Sequence, residues 1–124
     1  MKFAFENLKV YQAAIDFNTH INKILDSKPS AISWSMKDQL QRASLSIPLN
    51  IAEGNGRWHK AEKRQFFWIA RGSTFECVAI IEVMLRNHTI STETKTVLYE
   101  DLSEISKMLS GLIKSLEAAG PKGC

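Results

Sequence analysis

Leu98, Leu102, Ile105, Leu109, Leu112 and Leu116 recur at alternating spacings of four and three without a break. Such a stripe runs along one side of an α-helix at the spacing of knobs-into-holes packing, so other helices must cover it. Three more helices are legible. Val10, Ala14, Phe17, Ile21 and Ile24 mark one from about Glu6 to Asp26. Met36, Leu40, Ala43, Ile47 and Ile51 mark a second, with Ser33 or Ser35 as its cap and Gly54-Asn55-Gly56 as a left-handed stop and turn. The third begins after Trp58 and runs to about Asn87. The fourth opens on the capping run Ser91-Thr92-Glu93-Thr94 and continues to Ala118, before Gly120-Pro121. Ser27-Lys28-Pro29-Ser30 breaks the chain between the first two. No hairpin turn sits between alternating apolar runs. The prediction is an all-α, antiparallel up-down four-helix bundle, one domain over 1–124 with flexible termini at 1–5 and 119–124.

The second helix carries residues that a plain amphipathic helix does not need. Beside its apolar stripe run Gln39, Arg42, Ser46, Asn50 and Glu53. Pro48 removes a backbone donor and crowds the carbonyl of Ser44, a cost of about 3 kcal/mol in a helix interior. A kink at Pro48 is therefore expected. Glu76 on the third helix falls between Ile69 and Val83, away from the strip of Arg71, Glu82 and Arg86, and reads as a buried carboxylate needing partners. Arg42 and Asn50 are the candidates, with Ser73 one turn before Glu76. The expected structural polar network is Arg42, Asn50, Glu53, Ser73 and Glu76. Two readings of the arginine and carboxylate stand side by side: an ion pair that fixes helix register, or a catalytic acid beside an arginine. Gly72 reads as a close-packing point.

The third helix is apolar around most of its circumference, more than one bundle covers. Self-association follows as an expectation, with Phe75, Val78 and Ile81 as the oligomer interface. The alternative is asymmetric wrapping by the other helices within a monomer.

Positive charge is concentrated in the middle of the chain. Residues 34–64 carry six Lys or Arg against three acids, whereas residues 90–124 carry four against five. Arg57, Lys60, Lys63 and Arg64 cluster around Trp58 at the turn into the third helix. Cations that hold phosphates beside an indole that stacks a base are a pattern for nucleic-acid binding. A solvated turn whose Trp58 tucks back onto the bundle is the plain alternative. Cations at a helix start oppose the macrodipole, which gives weak support to a binding role.

QLQRASLSIPLNIAEGNGR, followed by FFWIARGSTFE, resembles the 23S rRNA intervening-sequence proteins, as does the entry run Phe5-Glu6-Asn7-Leu8 before Val10-Tyr11-Gln12-Ala13. The resemblance spans Phe5 to about Leu85. It falls on Gln39, Leu40, Arg42, Ala43, Ser46, Ile47, Pro48, Asn50, Ile51, Ala52, Glu53, Gly54, Gly72, Ser73 and Glu76. It implies a small bundle that assembles as a ring-like homopentamer, in some cases encoded within insertions in large-subunit rRNA genes. It also implies similarity to retroelement accessory proteins, which bind nucleic acid and a reverse transcriptase. The chain departs from the family at KPSAISWS, between the first two helices.

Signals for catalysis are thin. His20, His59 and His88 lie in separate segments at no metal-ligand spacing, and Gly54-Asn55-Gly56 lacks the lysine and hydroxyl residue of a phosphate loop. No nucleophile elbow or di-iron carboxylate pattern appears. Neither enzyme activity, metal nor cofactor is expected. With 44% hydrophobic and 23% charged residues, a net charge of +3 and two unpaired-looking cysteines, Cys77 and Cys124, the composition is that of a globular chain in a reducing cytoplasm. The N-terminus lacks a signal-peptide apolar run, and no stretch approaches the ~20 apolar residues of a membrane span. The sequence thus points to a bacterial-type, self-assembling binding protein whose partners are its own copies, RNA or DNA, and a protein such as a reverse transcriptase. The alternative is an interaction scaffold that binds no nucleic acid.

Overall fold

Four helices carry the chain: α1, Lys9–Ser27; α2, Trp34–Asn55; α3, Lys60–Arg86; and α4, Thr92–Ala118. They are seen in a computed structural model that describes residues 2–27 and 32–118. Most of the predicted breaker, the Gly120-Pro121 stop, Cys124 and the tail 119–124 lie outside the described residues. Ala4 and Phe5, expected to be loose, belong to a 3-10 turn over Ala4–Asn7. The Phe3 amide donates to Glu6 Oε1 at 2.9 Å, and the Phe5 ring stacks on Phe3 and meets Tyr11 edge-on.

Two serines set helix starts as the sequence suggested. Ser33 Oγ accepts from the Met36 amide at 3.2 Å, and Ser91 Oγ from the Thr94 amide at 3.1 Å. The helices pack as sequential neighbours, α2 most extensively on α3, and α1 closes the bundle against α4. Phe17, Ile21, Leu40, Ile47, Ile51, Ile81, Met84, Leu102 and Ile105 fill the shared core. On α4 the buried series is Leu98, Leu102, Ile105, Leu109 and Ile113, with Leu112 only half-buried. The predicted alternation of four and three gives way because a straight helix has 3.6 residues per turn and drifts off a 3.5 repeat. A polar ladder joins α1 to α2: Asn18 Nδ2 donates to Ser44 Oγ at 2.9 Å, and Gln41 Nε2 to Asn22 Oδ1 at 3.4 Å.

α2 runs unbroken through Pro48, which is buried. Its end differs from the expected left-handed stop. No described glycine has positive φ, and Gly56 sits at φ −79°. Gly54 is required for room instead: a Cβ there would lie 2.8 Å from Phe66 Cβ and 2.9 Å from Phe67 Cε1. The left-handed residue is His88, φ 58°, after α3. The His88 amide donates to Leu85 O at 3.0 Å and the Thr89 amide to Met84 O at 2.9 Å, a Schellman closure without glycine.

Candidate nucleic-acid interface

The α2–α3 turn is short and pinned from both sides. The Gly56 amide donates to Ala52 O at 3.2 Å and the Arg57 amide to Gly54 O at 3.1 Å. Arg57 Nη2 donates to Glu53 Oε2 at 3.1 Å, and its guanidinium lies 4.7 Å from the Phe66 ring centroid. Lys63 Nζ donates to Asn55 O at 2.8 Å. That bond explains the cation at the start of α3. It closes the C-terminal carbonyl end of α2, where the helix dipole favours positive charge. From this fixed base Trp58 stands 90% exposed. Tucking so large a ring against the bundle would contribute about 3 kcal/mol, and the chain leaves that unused. Arg64 is half-buried one turn into α3, beside Lys60. The five residues Arg57, Trp58, Lys60, Lys63 and Arg64 thus share one corner. Arg57 and Lys63 also brace it, a role the sequence reading missed.

The expected polar network forms only in part. Ser46 Oγ and Ser73 Oγ lie 2.8 Å apart, and Asn50 Nδ2 donates to Ser46 O at 2.8 Å and to Ser46 Oγ at 2.9 Å. Arg42, Glu53 and Glu76 stand outside it, all exposed. Arg42 Nε donates to Asp38 Oδ2 at 3.0 Å within α2, and Glu53 pairs with Arg57. The carboxylate of Glu76 is thus not the buried group inferred from its apolar neighbours, because Ile69 and Val83 are themselves exposed. No acid–arginine pair is assembled from Arg42 and Glu76. Among the described residues no group of three or more His, Cys, Asp or Glu side chains is placed to hold a metal. No described helix is long and apolar enough to cross a membrane.

The three residues expected at an oligomer interface separate. Ile81 is 0% exposed and belongs to the core, so it has no surface to offer. Val78 is half-buried in a groove of about 380 Å³ shared with Phe75, Tyr99 and Leu102. Phe75 is exposed, as are Trp68, Ile69 and Val83 on α3 and Leu45 and Leu49 on α2. Gly72, read as a close-packing point, has nothing within 4 Å of its Cβ position and opens onto the same outer side of α3. Arg71, expected on a polar strip, is clamped between aromatics: its guanidinium lies 4.4 Å from the Phe75 ring and 5.3 Å from Trp68, while Nε donates to Ser110 Oγ at 3.1 Å.

The sequence model of the 23S rRNA-intervening sequence protein family matches residues 6–111, through most of α4 and so beyond the segment that carried the resemblance. The chain belongs to that family. A solved structure agrees with this membership: a protein with unknown function from the S23 ribosomal protein family of Bacteroides thetaiotaomicron. It superposes with a TM-score of 0.78 at 26% identity, over 85% of this chain and 98% of that one. No curated protein matches. Within this 23S rRNA-intervening sequence protein the motif residues sort into two sets. Ser46, Asn50, Gly54 and Ser73 make the α2–α3 seam, whereas Arg42, Glu53, Gly72 and Glu76 lie on exposed positions.

Proposed function

We propose that this chain is a non-enzymatic, self-assembling protein of the cytoplasm that holds RNA or DNA at its α2–α3 corner, as an accessory or rRNA-insertion-associated protein. The observation that carries this reading is Trp58, bare at 90% exposure on a braced turn with Arg57, Lys60, Lys63 and Arg64. Membership in a family described by the 23S rRNA intervening sequence supports it. Self-assembly, with the pentamer favoured, rests on the apolar side chains left exposed on α3 and α2, which a partner copy would cover. A ring repeats the corner in every subunit, so modest local charge gains through multivalency.

The test is a fluorescence-anisotropy titration of labelled RNA and duplex DNA at two salt concentrations, after light scattering has established the oligomer. Binding that falls steeply with salt and is lost when Lys60 and Arg64 become Gln supports the reading. Arg57 and Lys63 come later because their bonds to Glu53 and Asn55 hold the turn. An assembled oligomer that binds nothing at low salt favours a second reading, a scaffold that recruits a protein such as a reverse transcriptase. The exposed Ile69, Phe75 and Val83 give that alternative its support.

A further inference from the structure

We infer that the strand taken at this corner is unpaired, with one base laid on the indole of Trp58. This rests on the nucleic-acid reading above and narrows its ligand to a single strand. In a duplex both faces of each base are covered by its neighbours, so a protruding indole meets only backbone unless it pries a step open. An unpaired base offers its face freely, and base–aromatic stacking adds roughly 5- to 150-fold in affinity by alanine substitution. The ring at 90% exposure has its surface available for that contact. The base beneath it is rigid. Two backbone hydrogen bonds at 3.2 and 3.1 Å and the Lys63 bond to Asn55 O at 2.8 Å fix the turn, so little order has to be gained on binding.

The charges argue the same way. Four cations lie within six residues of Trp58 in the sequence, and Arg57 and Lys63 spend part of their bonding capacity on Glu53 and Asn55. Such a set suits a few consecutive phosphates of one strand. A duplex held by charge alone would need a longer basic track. The aromatic cluster of Phe3, Phe5 and Tyr11 belongs to the same end of the bundle, since α1 starts where α2 finishes. Phe3 there is 62% exposed and offers the strand a further ring. RNA and DNA present the same unpaired base and phosphate to these groups.

Trp34→Phe/Trp68→Phe leaves Trp58 as the single tryptophan and so isolates its fluorescence. The full chain carrying those changes is titrated with a 15-nucleotide unstructured RNA, the same sequence as DNA, and the corresponding 15-base-pair duplex. The expected result is quenching of Trp58 by both single strands and at least ten-fold tighter binding of them than of the duplex. Followed by the anisotropy of labelled probes, Trp58→Ala should remove that preference, weakening single strands about ten-fold or more while leaving the duplex within two-fold, and Trp58→Phe should restore most of it. Melting temperature and oligomeric state should not change. Equal affinity for strand and duplex, or unquenched Trp58 in a saturated complex, overturns this inference and leaves the proposed nucleic-acid function standing. Failure to bind any of the three probes at low salt overturns both.

Discussion

Ser46 Oγ on α2 lies 2.8 Å from Ser73 Oγ on α3, and the same Ser46 oxygen accepts from Asn50 Nδ2 at 2.9 Å. Ser46 Oγ takes part in both bonds, and either hydroxyl can donate within the serine pair. The pair therefore behaves as one chain of bonds across the α2–α3 seam. Ser73 is buried, so removing its partner leaves a hydroxyl short of a bond. Ser46→Ala and Ser73→Ala should each cost about 1–2 kcal/mol in urea unfolding. The double variant should cost clearly less than their sum, with a coupling of about 1 kcal/mol.

Gly54 has no space for a methyl group. An alanine Cβ would stand 2.8 Å from Phe66 Cβ, which is anchored to the α3 backbone and cannot swing aside. Gly54→Ala should therefore destabilise by about 1–3 kcal/mol despite alanine's better helix propensity. Gly72→Ala supplies the control. With nothing within 4 Å, it should raise the stability of the isolated chain by up to about 1 kcal/mol.

Tyr99 donates to Glu82 Oε2 at 2.9 Å. That bond, helped by Arg86, holds the Glu82 carboxyl below its ordinary value of 4.5. Partial burial, reinforced by the carboxylate, pushes the Tyr99 phenol above its ordinary 10.0. The carboxylate's contribution to stability is complete above pH 4.5 and fades as the pH falls through its folded value. The phenol's contribution is complete below pH 10.0 and fades as the pH rises through its folded value. Melting temperatures of the native chain and Tyr99→Phe should differ most between pH 4.5 and 10.0 and converge on either side.

The proposed assembly and the core separate cleanly on α3. Ile81→Asp puts an unpartnered charge at a position with 0% exposure and should unfold the chain, a loss of more than about 4 kcal/mol. Ile69→Asp or Phe75→Asp changes a side chain already 46% exposed. Circular dichroism should show these two folded, while light scattering shows the oligomer lost. An intact oligomer in both would move the interface away from the outer side of α3.

The apolar repeats gave the helices and their order because each stripe has one side to bury and short connections leave one arrangement. Ser33 and Ser91 were legible as caps for the same local reason. What the sequence concealed depends on which side of a helix faces a neighbour. Glu76 looked buried because Ile69 and Val83 look like core residues, yet all three share the open side of α3. Ile81 looked available because α3 is apolar all round, and packing assigned it inward. The left-handed turn expected at Gly54-Asn55-Gly56 stands at His88 instead, and Gly54 serves close packing. A glycine's need for room is invisible without Phe66 and Phe67 opposite, and nothing in a histidine's chemistry announces φ 58°. The basic corner was visible as composition. That Lys63 closes α2 while it charges α3 could have been suspected from a lysine eight residues beyond the last helical turn.

Cys77 sits in the middle of α3 with no exposed surface, and burial, with Glu76 adding to it, pushes its thiol up to about 12. Near neutrality it is neither ionised nor reachable, so a thiol reagent can modify it only in molecules whose α3 has momentarily come away from its neighbours. The chain thus contains its own clock for breathing of the bundle. The rate at which Cys77 is labelled counts core openings, and a strand or a partner copy that clasps α3 would slow it.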